Sequence, residues 1–271
     1  MPKLPHISFS SFKLYNQCPN LWKLTYVDKV EAWKDNCFMI FGTCIHSVVQ
    51  DKLKFNLDKD YNAEFQVKFS AMIKEKLKPE EIEEYKDLIE EMKDQGKGII
   101  DEIKETLTKE FGNFEVLAIE EDLLEPFLET SDGRKIKFKG FIDILIKAED
   151  GRLVIGDFKS FSWGWDSHQK SDKMLAYQLV YYKAFLSQKL DIPEEELKNI
   201  DTYFMLLKRT VKKEFCEIVP VTSGTKRIQN AKELLEKTVK NIEHDSFKKN
   251  RKSCDKCKFH KTSYCKNSFG F

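Results

Sequence analysis

Between Lys135 and Phe161 the chain reads KIKFKGFIDILIK, then AEDGR, then LVIGDFKSF. Two runs rich in β-branched and aromatic residues flank Glu149–Asp150–Gly151. An Asp-Gly pair favours a tight turn, so the stretch is expected to fold back as a β-hairpin. Residues 114–127 form a similar run before a second turn signal, Asp132–Gly133, which makes three consecutive strands. A helix is expected over 171–190, strands over Tyr203–Leu207 and Phe215–Val221, and a long helix over Thr225–Ile242. Upstream, Ser8–Val27 reads as one or two short helices broken at Pro19, with Ser8 and Ser10 as N-cap candidates. Phe41, Ile45, Val48, Val49 and Leu53 recur at helical spacing within Phe38–Phe55. Residues 63–111 read as amphipathic helices with solvated faces, interrupted at Pro79 and at Gly96–Gly98. Helices, three strands, helix, two strands, helix is an α/β order.

Lys plus Arg total 46 and Asp plus Glu total 45 in 271 residues, a net charge of +1. That balance argues against a protein coated throughout by nucleic acid. A local basic groove stays open, because steering depends on where charges sit. Aromatic and aliphatic residues are plentiful enough for a sizeable core, which excludes global disorder. No stretch approaches the roughly 20 apolar residues that span a bilayer. MPKLPHISFSSF has no apolar signal-peptide core. An intracellular, cytoplasmic, reducing setting (a host cytoplasm if the protein is viral) with no membrane partner is therefore expected. There the seven cysteines are thiols or metal ligands and not a disulfide framework.

Asp143 ends G-F-I-D and Asp157 lies in I-G-D-F-K, on neighbouring strands joined by a tight turn. Two carboxylates brought together repel, and a divalent cation relieves the repulsion. Asp157 and Lys159 are two apart on a strand and share a face. A metal between acids, with an adjacent lysine, is an arrangement that suits phosphodiester hydrolysis. The alternative is a surface Asp–Lys pair at a strand end.

With these residues in view, the chain resembles the RecB-like branch of the PD-(D/E)XK nucleases, which includes helicase-associated and CRISPR-associated DNA nucleases. The matching positions are Gly42 and His46 in G-T-C-I-H, Asp143, Asp157 with Lys159, and Gln178 with Tyr182 in Q-L-V-Y-Y. The resemblance implies a restriction-endonuclease-like core, a mixed central sheet flanked by helices, as one nuclease domain over 1–271 with a helical insert at 58–112. It implies that His46, Asp143, Asp157 and the backbone carbonyl of Phe158 hold Mg²⁺ or Mn²⁺, and that Lys159 assists attack by water. It has Gln178 and Tyr182 contact DNA near the scissile phosphate or support the site. Glu120, on the first strand, is a candidate outer-shell acid. By themselves, His46 reads as a core histidine and the Gln178–Tyr182 pair as a half-buried helix face. Trp163 and Trp165, beside Lys170 and Lys173, are candidates to stack on bases and track phosphates, or to pack as a lid or core.

Cys254, Cys257 and Cys265 lie within a dozen residues and call for a metal centre. His260 would complete a local zinc site, and Cys18 a four-cysteine site across the chain. Iron–sulfur-containing nucleases of the same branch resemble the second arrangement, which implies a [4Fe–4S] cluster stapling Cys18 to the 250–271 tail. Cys37, Cys44 and Cys216 sit in apolar patterns and read as small core residues.

The function expected is metal-dependent DNA exonuclease activity on ends or single strands, in recombination, repair, or phage or CRISPR DNA processing. The alternatives are a structure-specific endonuclease on the same core and a zinc-stapled module that binds nucleic acid without cutting. No G-x-x-x-x-G-K-[ST] loop is present, so a helicase or recombination partner would be a separate chain.

Overall fold

The computed structural model describes residues 4–30, 34–55, 57–255 and 257–265. The last six positions of the 250–271 element lie outside them. The chain begins with a three-residue strand, β1 (His6–Ser8), then α1 (Phe9–Gln17) and α2 (Pro19–Tyr26). Ser8 caps α1 by accepting from Ser11 N–H, and Pro19 opens α2, where its missing N–H costs nothing. Cys18 is the extended hinge between the two helices. Four helices follow: α3 (Cys37–Phe55), α4 (Tyr61–Lys76), α5 (Pro79–Glu84) and α6 (Lys86–Phe111). Next come β2 (Glu115–Glu129), β3 (Lys135–Lys147) and β4 (Leu153–Phe161), then α7 (Ser167–Lys170), α8 (Lys173–Lys189), β5 (Ile200–Lys208), β6 (Cys216–Pro220) and α9 (Thr225–Glu243).

The sheet is mixed. β2–β3, β3–β4 and β5–β6 are antiparallel, whereas β1–β3 and β4–β5 are parallel. β2 pairs with β3 along its whole length, so β1 and β4 must share the other edge of β3. β1 takes positions 137–139 and β4 takes 144–147. Between them, 140–143 has no ladder partner on that edge, and the sheet opens there.

Both faces are covered. One core joins β-residues such as Phe138, Ile155 and Phe204 to α1, α8 and α9. The other joins Ile144, Val154, Phe158 and Met205 to α3, α4 and α6. The helical face explains one departure from the sequence-based reading: α6 runs through Gly96 and Gly98 without a break. A Cβ at Gly96 would stand 2.2 Å from the Phe65 ring, and one at Gly98 would stand 2.6 Å from Phe215. The glycines are there for close packing, which outweighs their helix cost of about 1 kcal/mol each. The three-residue β1 was not foreseen either, because its pairing is set by β3 and not by its own pattern. Among the described residues no helix is long and apolar enough to cross a membrane.

Candidate active site

The opening in the sheet coincides with an irregularity in β3. Ile136, Phe138 and Ile142 enter the α1/α8 core, but Ile144 and Ile146 enter the α3/α6 core, so the side-chain alternation reverses at Asp143. The residue opposite Asp143 on β2 is Glu120, flanked by the pairs Ile119–Ile144 and Glu121–Ile142. Glu120 has φ of 52°, a left-handed backbone that a non-glycine residue in a strand adopts only when its surroundings impose it. Strain and reversal together turn Glu120 and Asp143 into the opening.

Asp143 does the work of the missing ladder there. The β3–β4 pairing ends at Ile144–Gly156, and the next N–H on that edge, from Phe158, donates instead to Asp143 Oδ2 at 2.7 Å. Asp157 is 2% exposed. Its Oδ1 accepts from Gln178 Nε2 at 2.6 Å, and the same amide donates to Tyr182 Oη at 3.1 Å. Lys159 Nζ stands 2.6 Å from Asp157 Oδ2. Its approach lies outside hydrogen-bond geometry, so Oδ2 is buried without an aligned donor. On the opposite wall, α3 carries His46, whose Nδ1 is 3.9 Å from Asp143 Oδ2 and whose ring meets Phe158 edge-on. One turn later Gln50 Nε2 donates to Glu120 Oε1 at 2.6 Å and to the Asp143 carbonyl at 3.1 Å. Gln50 was missed from sequence. Its spacing of four from His46, which puts both on one helix face, was the available signal.

The electrostatics follow from burial. Desolvation first, and the Asp157 charge second, push Asp143 well above the usual carboxylate range, with Lys159 pulling it back. Burial likewise raises Asp157 against the attraction of Lys159. Desolvation, reinforced by the Lys159 charge, lowers His46 to about 4, so it is a neutral imidazole at pH 7. A neutral imidazole, two carboxylates in excess of cations and a buried carboxylate oxygen without an aligned donor form a donor set that a divalent cation fits. As the side chains are placed, no group of three or more His, Cys, Asp or Glu among the described residues is close enough to hold an ion.

Other expected contributors divide. Gln178 and Tyr182 are 8% and 6% exposed; Gln178 braces Asp157, and Tyr182 accepts from the same Gln178 amide. Of the two readings of Trp165, core packing is the one its surroundings match: it is 6% exposed and packs edge-on against Phe161 and Phe204. Trp163 is 67% exposed. Lys170 is exposed but paired with Glu217 at 2.6 Å, and Lys173 is exposed at the first turn of α8. Cys37, Cys44 and Cys216 are buried as core residues.

Away from this cleft, Cys18, Cys254, Cys257 and Cys265 line one small cavity. Asn250 N–H points at Cys18 Sγ at 3.3 Å, and Asn20 Nδ2 donates to Cys265 Sγ at 3.8 Å. Burial, then the charges of Cys257, Cys265 and Cys18, push the Cys254 thiol up.

Among solved structures, one from Eubacterium rectale, named as a candidate exonuclease, has a TM-score of 0.50 at 11% identity over 89% of this chain and 79% of its own. The crystal structure of SSO0001 aligns over 82% of this chain and 94% of its own at 16% identity, with a TM-score of 0.36. No curated protein matches the chain. The profile of the PD-(D/E)XK nuclease superfamily matches residues 6–265, from β1 through Cys265. With its sheet, its flanking helices and its acidic opening all inside that span, this chain belongs to the PD-(D/E)XK nuclease superfamily.

Proposed function

We propose that the chain is a Mg²⁺- or Mn²⁺-dependent deoxyribonuclease of the RecB-like branch that degrades DNA from its ends. Family membership supports phosphodiester hydrolysis with DNA as substrate. The observation that carries the metal-dependent chemistry is the acid pair at the opening of the sheet, where Asp157 is buried, braced by Gln178 and faced by Lys159.

His46, Asp143, Asp157 and the Phe158 carbonyl are the groups that would hold the metal. The carbonyl points to the same strand edge as the Phe158 N–H, which already meets Asp143. When bound, the ion supplies the positive charge that offsets the carboxylates and polarises the scissile phosphate. Gln178 fixes one oxygen of Asp157, and the other, Oδ2, stands beside Lys159 Nζ. Lys159, a quarter exposed, presents a cation where negative charge develops on the phosphate or the attacking water. Gln50 holds Glu120 behind Asp143 as an outer-shell acid. A helicase or recombination partner would be a separate chain.

The same reading assigns a [4Fe–4S] cluster to Cys18, Cys254, Cys257 and Cys265. Four cysteines from both ends of the chain line one cavity, and the other three add to the burial that pushes the Cys254 thiol up, which supports a shared centre. N–H groups directed at two of the sulfurs suit thiolates. Zinc with His260 is the competing local arrangement, distinguished by metal analysis.

End-labelled linear DNA and closed circular DNA, each incubated with and without Mn²⁺, test the activity. Loss of label from linear DNA with circles intact is expected. Cut circles would replace this reading with an endonuclease, and no cleavage of either would reject it.

A further inference from the structure

Helix α3 runs along β4 in the opposite chain direction, and three contacts align the two. The His46 ring meets the Phe158 ring edge-on, with centroids 5.9 Å apart. Four residues back, Gly42 faces Ser160: a Cβ there would stand 2.9 Å from Ser160 Oγ. Four further back, the Phe38 ring lies 4.8 Å from the Arg209 guanidinium, which donates from Nη2 to Ser162 Oγ at 2.6 Å. His46, Gly42 and Phe38 on the helix thus answer Phe158, Ser160 and Ser162 along the strand and its extension. A helical step of four residues covers about 6 Å and a strand step of two about 6.6 Å. The two periods match, so the contacts stay in register over the whole span.

The three contacts differ in kind. The first is a ring edge, and the second is a close approach with no side chain on the helix. The third is a hydrogen bond from a charged donor, roughly twice as strong as a neutral one and tied to one geometry. Arg209 itself belongs to the sheet, where its backbone N–H donates to Phe161 O at 2.8 Å. It is 6% exposed, and a buried cation is costly to keep. Its guanidinium also lies 5.5 Å from the Phe41 ring. Stacking on two aromatic rings suits a planar, weakly hydrated guanidinium and offsets part of that cost. The buried charge joins the first turn of α3 to the end of β4.

We propose that Arg209 is a positioning residue that locks α3 in register on β4 and thereby sets where His46 stands against Asp143. This rests on the reading of His46 and Asp143 as metal-holding groups. His46 Nδ1 is 3.9 Å from Asp143 Oδ2. A slip of α3 by one turn would carry the imidazole about 5.4 Å along the helix axis. Metal–ligand distances hold to within about 0.2 Å, so a small fraction of that slip would weaken the site. Arg209 acts through the helix, because its guanidinium is bonded to Ser162 and stacked on Phe38 and Phe41.

The test is Mn²⁺ binding without DNA, read from the loss of the free-ion electron paramagnetic resonance signal, in wild type, Arg209→Met, His46→Ala and the double variant. Arg209→Met should raise the Mn²⁺ dissociation constant about 10-fold, the lower end of the loss when a metal ligand loses its support. In the His46→Ala background the same substitution should have no further effect, because the ligand through which Arg209 acts is gone. Should Arg209→Met fail to fold by its melting curve, Ser162→Ala removes only the hydrogen-bond acceptor and should shift Mn²⁺ binding in the same His46-dependent way. Unchanged Mn²⁺ affinity in the folded variant, or a loss that adds in full to that of His46→Ala, would overturn the register lock and leave the metal site standing. A wild-type protein that binds no Mn²⁺ would instead reject the metal site, and the lock with it.

Discussion

In the acidic cleft, side chains from α3, β2, β3, β4 and α8 meet because the sheet and its two helical layers put them there. In the cysteine corner, residues from the two ends of the chain meet with little beneath them. The cleft has a polar network, Gln178 to Asp157 and Gln50 to Glu120, mounted on cores that include Phe138, Phe158 and Phe204. The corner has a small apolar cluster of Leu21, Leu24 and Phe259 around Cys18 and Cys265. The cleft is therefore expected to keep its shape without metal. Under the proposed cluster, the corner would depend on the metal centre that its four sulfurs share.

The largest effect on folding should come from the corner. Cys18 and Asn250, which touch, are 232 positions apart. Cross-linking so long a loop stabilises a fold by on the order of 4–5 kcal/mol in the chain-entropy account. Cys18→Ser should remove the broad visible absorption of an iron–sulfur protein and lower the melting temperature by many degrees. A colourless wild-type protein with one zinc, indifferent to Cys18→Ser and sensitive to His260→Ala, would move the metal to the local site.

A smaller effect is expected from the brace in the cleft. Gln178→Ala leaves Asp157 Oδ1 without its donor, and loss of such an outer contact typically costs about 10- to 100-fold in activity or metal affinity. The Mn²⁺ concentration for half-maximal cleavage should rise while the melting temperature changes little. An unchanged Mn²⁺ requirement would mean that Gln178 serves packing only, and would weaken the contrast between a self-supporting cleft and a corner proposed to depend on its metal.

The two regions also differed in how far sequence alone could reach. The hairpin, the acid pair, D-x-K and the Cys254–Cys257 spacing were legible because each is local: a turn, a strand period, a short motif. What was missed needs the third dimension. The strand His6–Ser8 exists only because β3 has a free edge. Gly96 and Gly98 looked like helix breakers because Phe65 and Phe215, their packing partners, are distant in sequence. The sequence left Trp165 open between base stacking and core packing, because the neighbour that decides, Phe204, comes from another strand. The left-handed backbone of Glu120 has no local signature at all, since β3 and Gln50 impose it.

The central claim is that Asp157, buried at the sheet opening, organises a metal for phosphodiester cleavage. The most direct measurement is Mn²⁺-dependent degradation of end-labelled linear DNA by the wild-type protein and by Asp157→Ala, each verified as folded by its melting curve. The wild type should cut with Mn²⁺ and not with EDTA, and Asp157→Ala should lose on the order of 10³-fold or more of that rate. Cleavage that persists in EDTA, or an Asp157→Ala protein that cuts like the wild type, would contradict it.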